Sequence, residues 1–181
     1  MRAAVCRAYG PPEVVVVDDF PAPELGAGQV RVRVHAAAVN FPDVLIVADE
    51  YQMSAPVPFV PGSEFAGEVI DVADDVDTVV VGDRVFGTAF IGAFAEEIVV
   101  GATASTPIPP GVAAEAAAAF GVAHRTAYHV LRSVARVQPG EELVVLGAGG
   151  GVGLAAVRLG AELGARVTAV ASSPEKLAAA E

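Results

Sequence analysis

Hydrophobic and polar residues alternate along Gln29–His35, where valines occupy every second position. This alternation is typical of a strand with one buried face. We therefore expect the valines to face a core and the two arginines and His35 to share the outer face. Further strands are predicted at Ala3–Cys6, Glu13–Val17, Ala66–Val72 and Ala95–Val100. Short strands separated by Pro and Gly turns indicate a mostly β segment, a small barrel or sandwich, up to about residue 105.

A different pattern begins near Glu141, where a buried apolar run enters a glycine cluster and a helical pattern leaves it. A tight bend needs residues without a Cβ, and the N–H groups of the following helix favour an anion. The literal G-x-G-x-x-G does not fit, whereas Gly147-x-x-Gly150-x-x-Gly153 and Ala148-x-Gly150-x-x-Gly153 do. The arrangement suits the pyrophosphate of a dinucleotide. The predicted cofactor contacts in this loop are Gly147, Gly149, Gly150, Gly151, Val152 and Gly153.

The segment after the glycines predicts a helix from Leu154 that ends at Gly164, and then a second buried strand at 166–171. No Asp or Glu stands at the end of that strand, where a carboxylate would favour NAD. Ser172 and Lys176 can instead hold a 2′-phosphate, which indicates NADPH, although Glu175 weakens the charge argument. Ser173 also fits a helix N-cap followed by Pro174, and both interpretations can hold together.

Between the two patterns, residues 112–135 have helical character, at Ala113–Phe120 and again at Arg125–Ala135. His124 and His129 are five residues apart, about 140° around a helix, so they do not converge on one metal. No zinc-ligand spacing and no motif for covalent catalysis is present in the sequence.

The chain of 181 residues has a net charge of −11 and 54% hydrophobic residues. This acidity argues against nucleic acid and anionic membranes as partners. The sequence has no apolar stretch long enough for a bilayer and no signal-peptide pattern. Its single cysteine, Cys6, excludes an internal disulfide framework, so we expect a cytoplasmic protein.

Several segments together resemble the zinc-independent quinone oxidoreductase branch of the medium-chain dehydrogenase/reductase superfamily. They are Asn40–Asp43, Val60–Gly67, Val81–Gly87, Thr126–Tyr128 and the glycine run. The resemblance implies an α/β protein with a GroES-like catalytic domain at residues 1–112. Linking helices and the first βαβ unit of a Rossmann NADP-binding domain would follow at 113–181. The family's Rossmann domain continues well beyond this length. We therefore expect the 181-residue chain alone to be inactive and to associate through an exposed sheet edge.

Zinc-dependent relatives carry Cys at the position of Asn40 and His at the position of Ser63, and those residues are zinc ligands. Their absence here disfavours alcohol oxidation and points to a quinone or an activated enone. The resemblance implies that Asn40 and Tyr51 line the substrate pocket and that Thr126 lies near the nicotinamide. It assigns Glu64 and Asp83 structural roles, from the positions that they match in the family. The alternatives are a turn or cap residue for Asn40, a loop aromatic for Tyr51 and a helix-surface or capping residue for Thr126.

These features predict an NADPH-dependent quinone oxidoreductase that is a homodimer in its full-length form. An enoyl-thioester reductase uses the same cofactor chemistry without zinc and remains an alternative. A truncated, non-catalytic structural or interaction polypeptide is the third interpretation.

Overall fold

The computed structural model describes residues 1–180, so Glu181, at which the last predicted helix stops, lies outside the described residues. Two compact units make up the chain, Met1–Gly121 and a second unit that begins at Val122. The strands are β1 (Arg2–Cys6), β2 (Val15–Asp19), β3 (Gln29–Ala38), β4 (Glu64–Val72), β5 (Arg84–Thr88), β6 (Glu97–Gly101), β7 (Ser105–Pro107), β8 (Glu142–Leu146) and β9 (Arg166–Val170). The helices are α1 (Phe41–Ala48), α2 (Ala114–Ala118), α3 (Gly121–Tyr128), α4 (Gly151–Glu162) and α5 (Pro174–Ala178). Among the described residues, no helix is long and apolar enough to cross a membrane.

The first unit is built on a five-stranded antiparallel sheet in the order β6-β3-β4-β5-β7, and β1 and β2 form a separate antiparallel pair. The predicted alternation of β3 is confirmed, because Val30 and Val32 are fully buried and Arg33 and His35 are exposed. These valines pack with Phe65, Val69 and other apolar residues in the main core of this unit. Burying such side chains is the principal stabilising term for a sheet of this size.

Several predicted boundaries in the first unit were wrong. Pro12–Val14 forms one turn of 3-10 helix, so β2 begins at Val15 rather than Glu13. Two consecutive prolines fix φ and remove two N–H donors, which disfavours strand pairing there. The strand predicted at Ala95–Val100 begins at Glu97 rather than Ala95. Two short strands, β5 and β7, and the helix α1 were not predicted.

The structure confirms that residues 112–135 are largely helical, but the bounds of the helices differ from those predicted. The predicted helix over Arg125–Ala135 begins earlier, within α3, and it continues from His129 to Val134 as a π-helix. In the first unit, α2 packs Ala117 and Ala118 against Ala66 and Ile108. A small-residue helix of this kind lets its backbone approach the sheet closely.

The second unit contains the predicted strand, loop, helix and strand in that order. Strands β8 and β9 are parallel, with Val144 opposite Thr168. Helix α4 approaches them closely at Gly160, where a Cβ would lie 2.5 Å from Leu143 Cδ2. Gly164 adopts φ +81° just after α4, as expected for a glycine that ends a helix. Val144 and Leu146 of β8 remain 60% and 75% exposed within the described chain.

Candidate functional site

The glycine loop between β8 and α4 is folded by its own backbone. Gly147 adopts φ +68°, a left-handed conformation that residues with a side chain rarely adopt. The N–H of Gly150 donates to the Gly147 carbonyl oxygen at 3.0 Å, and the N–H of Ala148 donates to the Val170 carbonyl oxygen at 3.0 Å. The loop is thereby tied to the end of β9, and α4 begins at Gly151.

Close packing explains two further glycines, whereas the remaining two would accept a β-carbon at ordinary contact distances. A Cβ on Gly153 would collide with the Gly147 carbonyl oxygen, and one on Gly149 would lie 2.6 Å from Lys176 Cβ. By contrast, a Cβ on Gly151 would meet nothing nearer than Ala123 Cβ at 3.8 Å. A Cβ on Gly150 would approach only the Gly147 carbonyl oxygen, at 3.5 Å. The first N–H groups of any α-helix lack intrahelical acceptors, so the start of α4 offers hydrogen-bond donors next to the loop.

A cleft of about 560 Å³ lies in the second unit, between the loop, the end of β9 and α5. Its lining residues are Gly147, Gly149, Gly150, Val170, Ala171, Ser172 and Lys176. Lys176 is the charged residue of this lining, and its Nζ donates to Ser172 Oγ at 3.2 Å. The predicted N-cap is also present, because the N–H of Lys176 donates to Ser173 Oγ at 3.4 Å. Backbone donors, a hydroxyl and an ammonium group therefore fit a phosphorylated ligand.

The other residues predicted to bind the cofactor do not line this cleft. Gly151, Val152 and Gly153 form the first turn of α4, and Val152 is 42% exposed. Thr126 lies on α3 with an exposed side chain. Glu175, which weakened the charge argument, lies in the first turn of α5. Its own backbone N–H and the Ser173 hydroxyl lower the pKa of Glu175, so its carboxylate is ionised near neutrality.

In the first unit, Asn40 is part of a buried polar cluster. Asn40 Nδ2 donates to Glu64 Oε2 at 2.7 Å, which joins the start of α1 to the first residue of β4. The Asn40 backbone N–H donates to Asp43 Oδ2 at 2.7 Å, and the Asp43 N–H donates to the Asn40 carbonyl oxygen at 3.0 Å. Glu64 and Asp43 are only 1% and 3% exposed. Asn40 therefore occupies the cap position and also contacts a buried carboxylate.

Burial raises the pKa of Asp43, while the hydrogen bond from the Asn40 N–H and the nearby polar groups of Ser63 oppose that shift. The ionised carboxylate of Asp43 is thus disfavoured relative to an exposed aspartate. Its capping bond to Asn40 favours the charged form, which explains why the two effects compete at this position.

Tyr51 lies in a neighbouring apolar cluster of the first unit. Its ring stacks on Phe90 with a centroid separation of 6.4 Å and an interplanar angle of 30°. The buried residues of this cluster are Cys6, Ile46, Val47, Ala55 and Phe59. Within the described part of the chain, the Tyr51 hydroxyl bonds to no other residue, so a ligand can take it as donor or acceptor.

A separate apolar cavity of about 470 Å³ opens near the N-terminus of the first unit, beside Phe20, Phe59 and Ile91. Neither Asn40 nor Tyr51 lines it. Among residues 1–180, no group of three or more His, Cys, Asp or Glu side chains is placed to hold a metal ion.

Sequence reasoning did not single out Asp43 and treated Glu64 as structural only. The Asn40-x-x-Asp43 spacing before an apolar run resembles a capping box, and this signal would have predicted both α1 and the role of Asp43. A single carboxylate in the apolar run of β4 is a weaker signal for Glu64, because buried acids need a partner. Asp83, the other residue given a structural role, accepts a bond from the Val80 N–H at 2.9 Å in the turn before β5.

Comparisons with known proteins agree with this architecture. Residues 26–110 match the alcohol dehydrogenase GroES-like domain. A quinone oxidoreductase-like protein 2 homolog from Nematostella vectensis is 43% identical over 178 residues, which cover 97% of this chain and 48% of that protein. The polyketide synthase GfsB of Streptomyces halstedii is 43% identical over 148 residues, which cover 82% of this chain and 3% of that protein.

The quinone oxidoreductase of Thermus thermophilus, whose crystal structures include a complex with NADPH, is 38% identical with a TM-score of 0.87. The match covers 99% of this chain and 56% of that one. The chain thus spans about half the length of the quinone oxidoreductase relatives that it matches. These similarities confirm the predicted fold class, a GroES-like domain followed by the start of a Rossmann parallel sheet.

Replacing Gly153 tests whether the loop depends on the close approach of α4. Gly153→Ala should lower the free energy of unfolding of the second unit by about 1–3 kcal/mol, because the added methyl overpacks the Gly147 carbonyl. Gly151→Ala is the matched control and should leave stability unchanged or slightly raised, since its Cβ would lie at an ordinary contact distance from its neighbours. Urea unfolding monitored by amide hydrogen exchange would measure the stability of the second unit separately. Equal losses of stability in the two variants would contradict this account.

Asp43 should give the first unit a characteristic pH dependence. Its folded-state pKa is raised, so its contribution to stability is fully present below the pKa of the unfolded chain, about 4. That contribution is lost as the pH rises through the folded-state pKa. Asp43→Asn keeps a side-chain acceptor for the Asn40 N–H and does not titrate. The free energy of unfolding of this variant, relative to that of wild type, should therefore increase as the pH rises over the same range.

Asp18→Asn is the control with the opposite sign. A hydrogen bond from Arg7 lowers the pKa of the exposed Asp18 carboxyl, so that contribution is lost as the pH falls. Unfolding free energies measured from about pH 3 to pH 8, on either side of the usual carboxyl pKa, should therefore diverge in opposite directions for the two variants. Parallel curves for wild type and Asp43→Asn would disprove the assignment.

Proposed function

We propose that this chain belongs to the quinone oxidoreductase branch of the medium-chain dehydrogenase/reductase superfamily, as its similarities suggest, and that the protein reduces a quinone or an activated enone with NADPH, without zinc. The observation that carries this proposal is the cleft of the second unit, which combines glycine-loop donors with Ser172 and Lys176. The cofactor would supply the hydride. A cytoplasmic location and a homodimeric assembly stay predictions.

Cofactor choice follows from the chemistry of the cleft lining. Among the described residues, no carboxylate lines the cleft to accept hydrogen bonds from a free ribose 2′-hydroxyl. Lys176 Nζ already lies beside Ser172 Oγ, so an ammonium and a hydroxyl group converge where a 2′-phosphate would accept from both. This pair supports NADPH over NADH. Gly150, which lines the cleft immediately before α4, is where a pyrophosphate would approach the N-terminus of that helix.

Substrate reduction would use the first unit. A quinone or enone places negative charge on its carbonyl oxygen as it is reduced, and a hydrogen-bond donor stabilises that charge. Tyr51 offers a hydroxyl, and Asn40 keeps one amide N–H beyond the one donated to Glu64. Asn40 and Ser63 replace the Cys and His that the resemblance assigns to zinc ligands. A neutral amide and a hydroxyl are poor zinc ligands, which supports reduction without the metal.

The alternative is an enoyl-thioester reductase. The identity of 43% to a segment of a polyketide synthase favours it, because this identity equals that to the quinone oxidoreductase-like relative. Both reactions reduce an electron-poor conjugated system, so the same donors at Asn40 and Tyr51 would serve either substrate.

Lys176 should determine the preference for a 2′-phosphate. Lys176→Glu should weaken the binding of NADPH and of 2′,5′-ADP by about 1–3 kcal/mol, the scale of a lost charged hydrogen bond. The binding of 5′-AMP, which lacks the 2′-phosphate, should change little. Isothermal titration calorimetry with the three ligands measures these differences.

Arg158→Glu is the control, because it makes the same charge change on an exposed residue of α4 that does not line the cleft. It should leave the dissociation constants near those of wild type. Equal affinity of the wild-type protein for 2′,5′-ADP and 5′-AMP would refute the preference for NADPH.

Tyr51 should act on the substrate and not on the cofactor. In the intact protein, Tyr51→Phe should lower kcat or raise the KM for a quinone by about tenfold, because one hydrogen bond is lost, and leave the NADPH dissociation constant unchanged. Steady-state assays with duroquinone and with crotonyl-coenzyme A would also decide between the two substrate classes. Wild-type kinetics in this variant would return Tyr51 to a structural role.

A further inference from the structure

Glu64 is an acidic residue in an apolar environment, and its contacts restrict its side-chain conformation. It is the first residue of β4, is 1% exposed, and is followed by the buried Phe65 and Ala66. A carboxylate in such a place must be hydrogen-bonded, because leaving it unpaired is very unfavourable. Asn40 Nδ2 supplies one such bond, at 2.7 Å from Glu64 Oε2.

The other carboxylate oxygen is enclosed by small groups. A Cβ on Gly121 would lie 2.7 Å from Glu64 Oε1 and 2.8 Å from Thr88 Cγ2. The carboxylate therefore leaves no room for a β-carbon at position 121. Any side chain at position 121 would displace Glu64, so its rotamer is held by packing as well as by hydrogen bonding.

The chemistry of the pair determines which edge of the Asn40 amide faces the protein. The NH₂ edge of Asn40 faces Glu64, because Asn40 Nδ2 donates to Glu64 Oε2 and a carboxylate oxygen is a hydrogen-bond acceptor. The backbone of Asn40 is held separately by Asp43 Oδ2 at 2.7 Å. Both the main chain and the side chain of Asn40 are thus fixed by acids that are themselves buried.

We propose that Glu64 is a positioning residue for the substrate site: it holds the Asn40 amide so that its second N–H remains in a fixed orientation for a ligand. This inference rests on the proposed function, in which Asn40 meets the carbonyl group of the substrate. It assigns Glu64 a role beyond stability, since loss of the bond frees the amide to rotate. A misplaced donor loses the benefit of preorganisation even when the fold survives.

The first experiment observes the orientation of Asn40 directly, by nuclear magnetic resonance of its side-chain amide. In the wild-type chain one of the two amide protons should be protected from exchange. Glu64→Gln keeps an acceptor oxygen and should keep this protection, whereas Glu64→Leu should abolish it. Glu68→Leu, on the same strand, is the matched control and should not alter the signal. An unchanged amide signal in Glu64→Leu would overturn the proposal.

The second experiment measures the consequence for the reaction in the intact protein. Glu64→Leu should reduce kcat/KM for duroquinone about 10–100-fold, and Glu64→Gln should restore most of it. The NADPH dissociation constant should not change in either variant. If the amide becomes free and the kinetics stay those of wild type, Glu64 does not position a substrate-binding group. If the wild-type protein reduces neither duroquinone nor crotonyl-coenzyme A, the proposed function fails, while the amide protection still decides whether Glu64 orients Asn40.

A third variant pair covers the case in which Glu64→Leu does not fold. Asn40→Asp would place two carboxyl groups at the present 2.7 Å contact and remove the donor, so it should destabilise the first unit. Adding Glu64→Gln exchanges donor and acceptor, because the amide introduced on β4 can then donate to the new carboxylate on the other side of the pair. Recovery of stability in the double variant supports the pairing, and additive losses contradict it.

Discussion

The absence of a β-carbon at Gly153 is the constraint on which the second unit depends. The carbonyl oxygen of Gly147 occupies the place that such an atom would need, so the loop can fold back on the first turn of α4. That approach ties the loop to the end of β9 through Ala148 and brings α5 against Gly149. The glycine loop, Ser172 and Lys176 line the same cleft because these backbone segments lie so close together.

The first unit depends on a different constraint, because it buries two carboxyl groups. Asp43 and Glu64 both lie out of water and both accept hydrogen bonds from Asn40, one from its backbone and one from its side chain. Buried acids of this kind contribute little net stability, but they determine orientation strongly, because each has few geometries that satisfy it. A side chain held in this way is preorganised, which is what a group facing a developing charge requires.

Local patterns were informative where one physical rule dominated. The period of two in β3 predicted the correct buried face, since successive side chains of a strand must point to opposite sides. The glycine run was recognisable because its spacing reflects backbone geometry rather than a distant contact. Prediction failed at α1, whose eight residues are almost all apolar and show no helical periodicity, and at β5 and β7, which are only five and three residues long.

By itself, the sequence determined the strand-loop-helix-strand unit and the cap at Ser173, because each depends on neighbours within a few positions. Only the tertiary structure decided that Asn40 meets Glu64, 24 residues away. That contact depends on how β4 pairs with β3 and on where α1 begins. No local sequence preference determines how these two features are placed relative to each other. Burial likewise raised the pKa of Asp43, an effect that arises from the surrounding packing and not from the residue type.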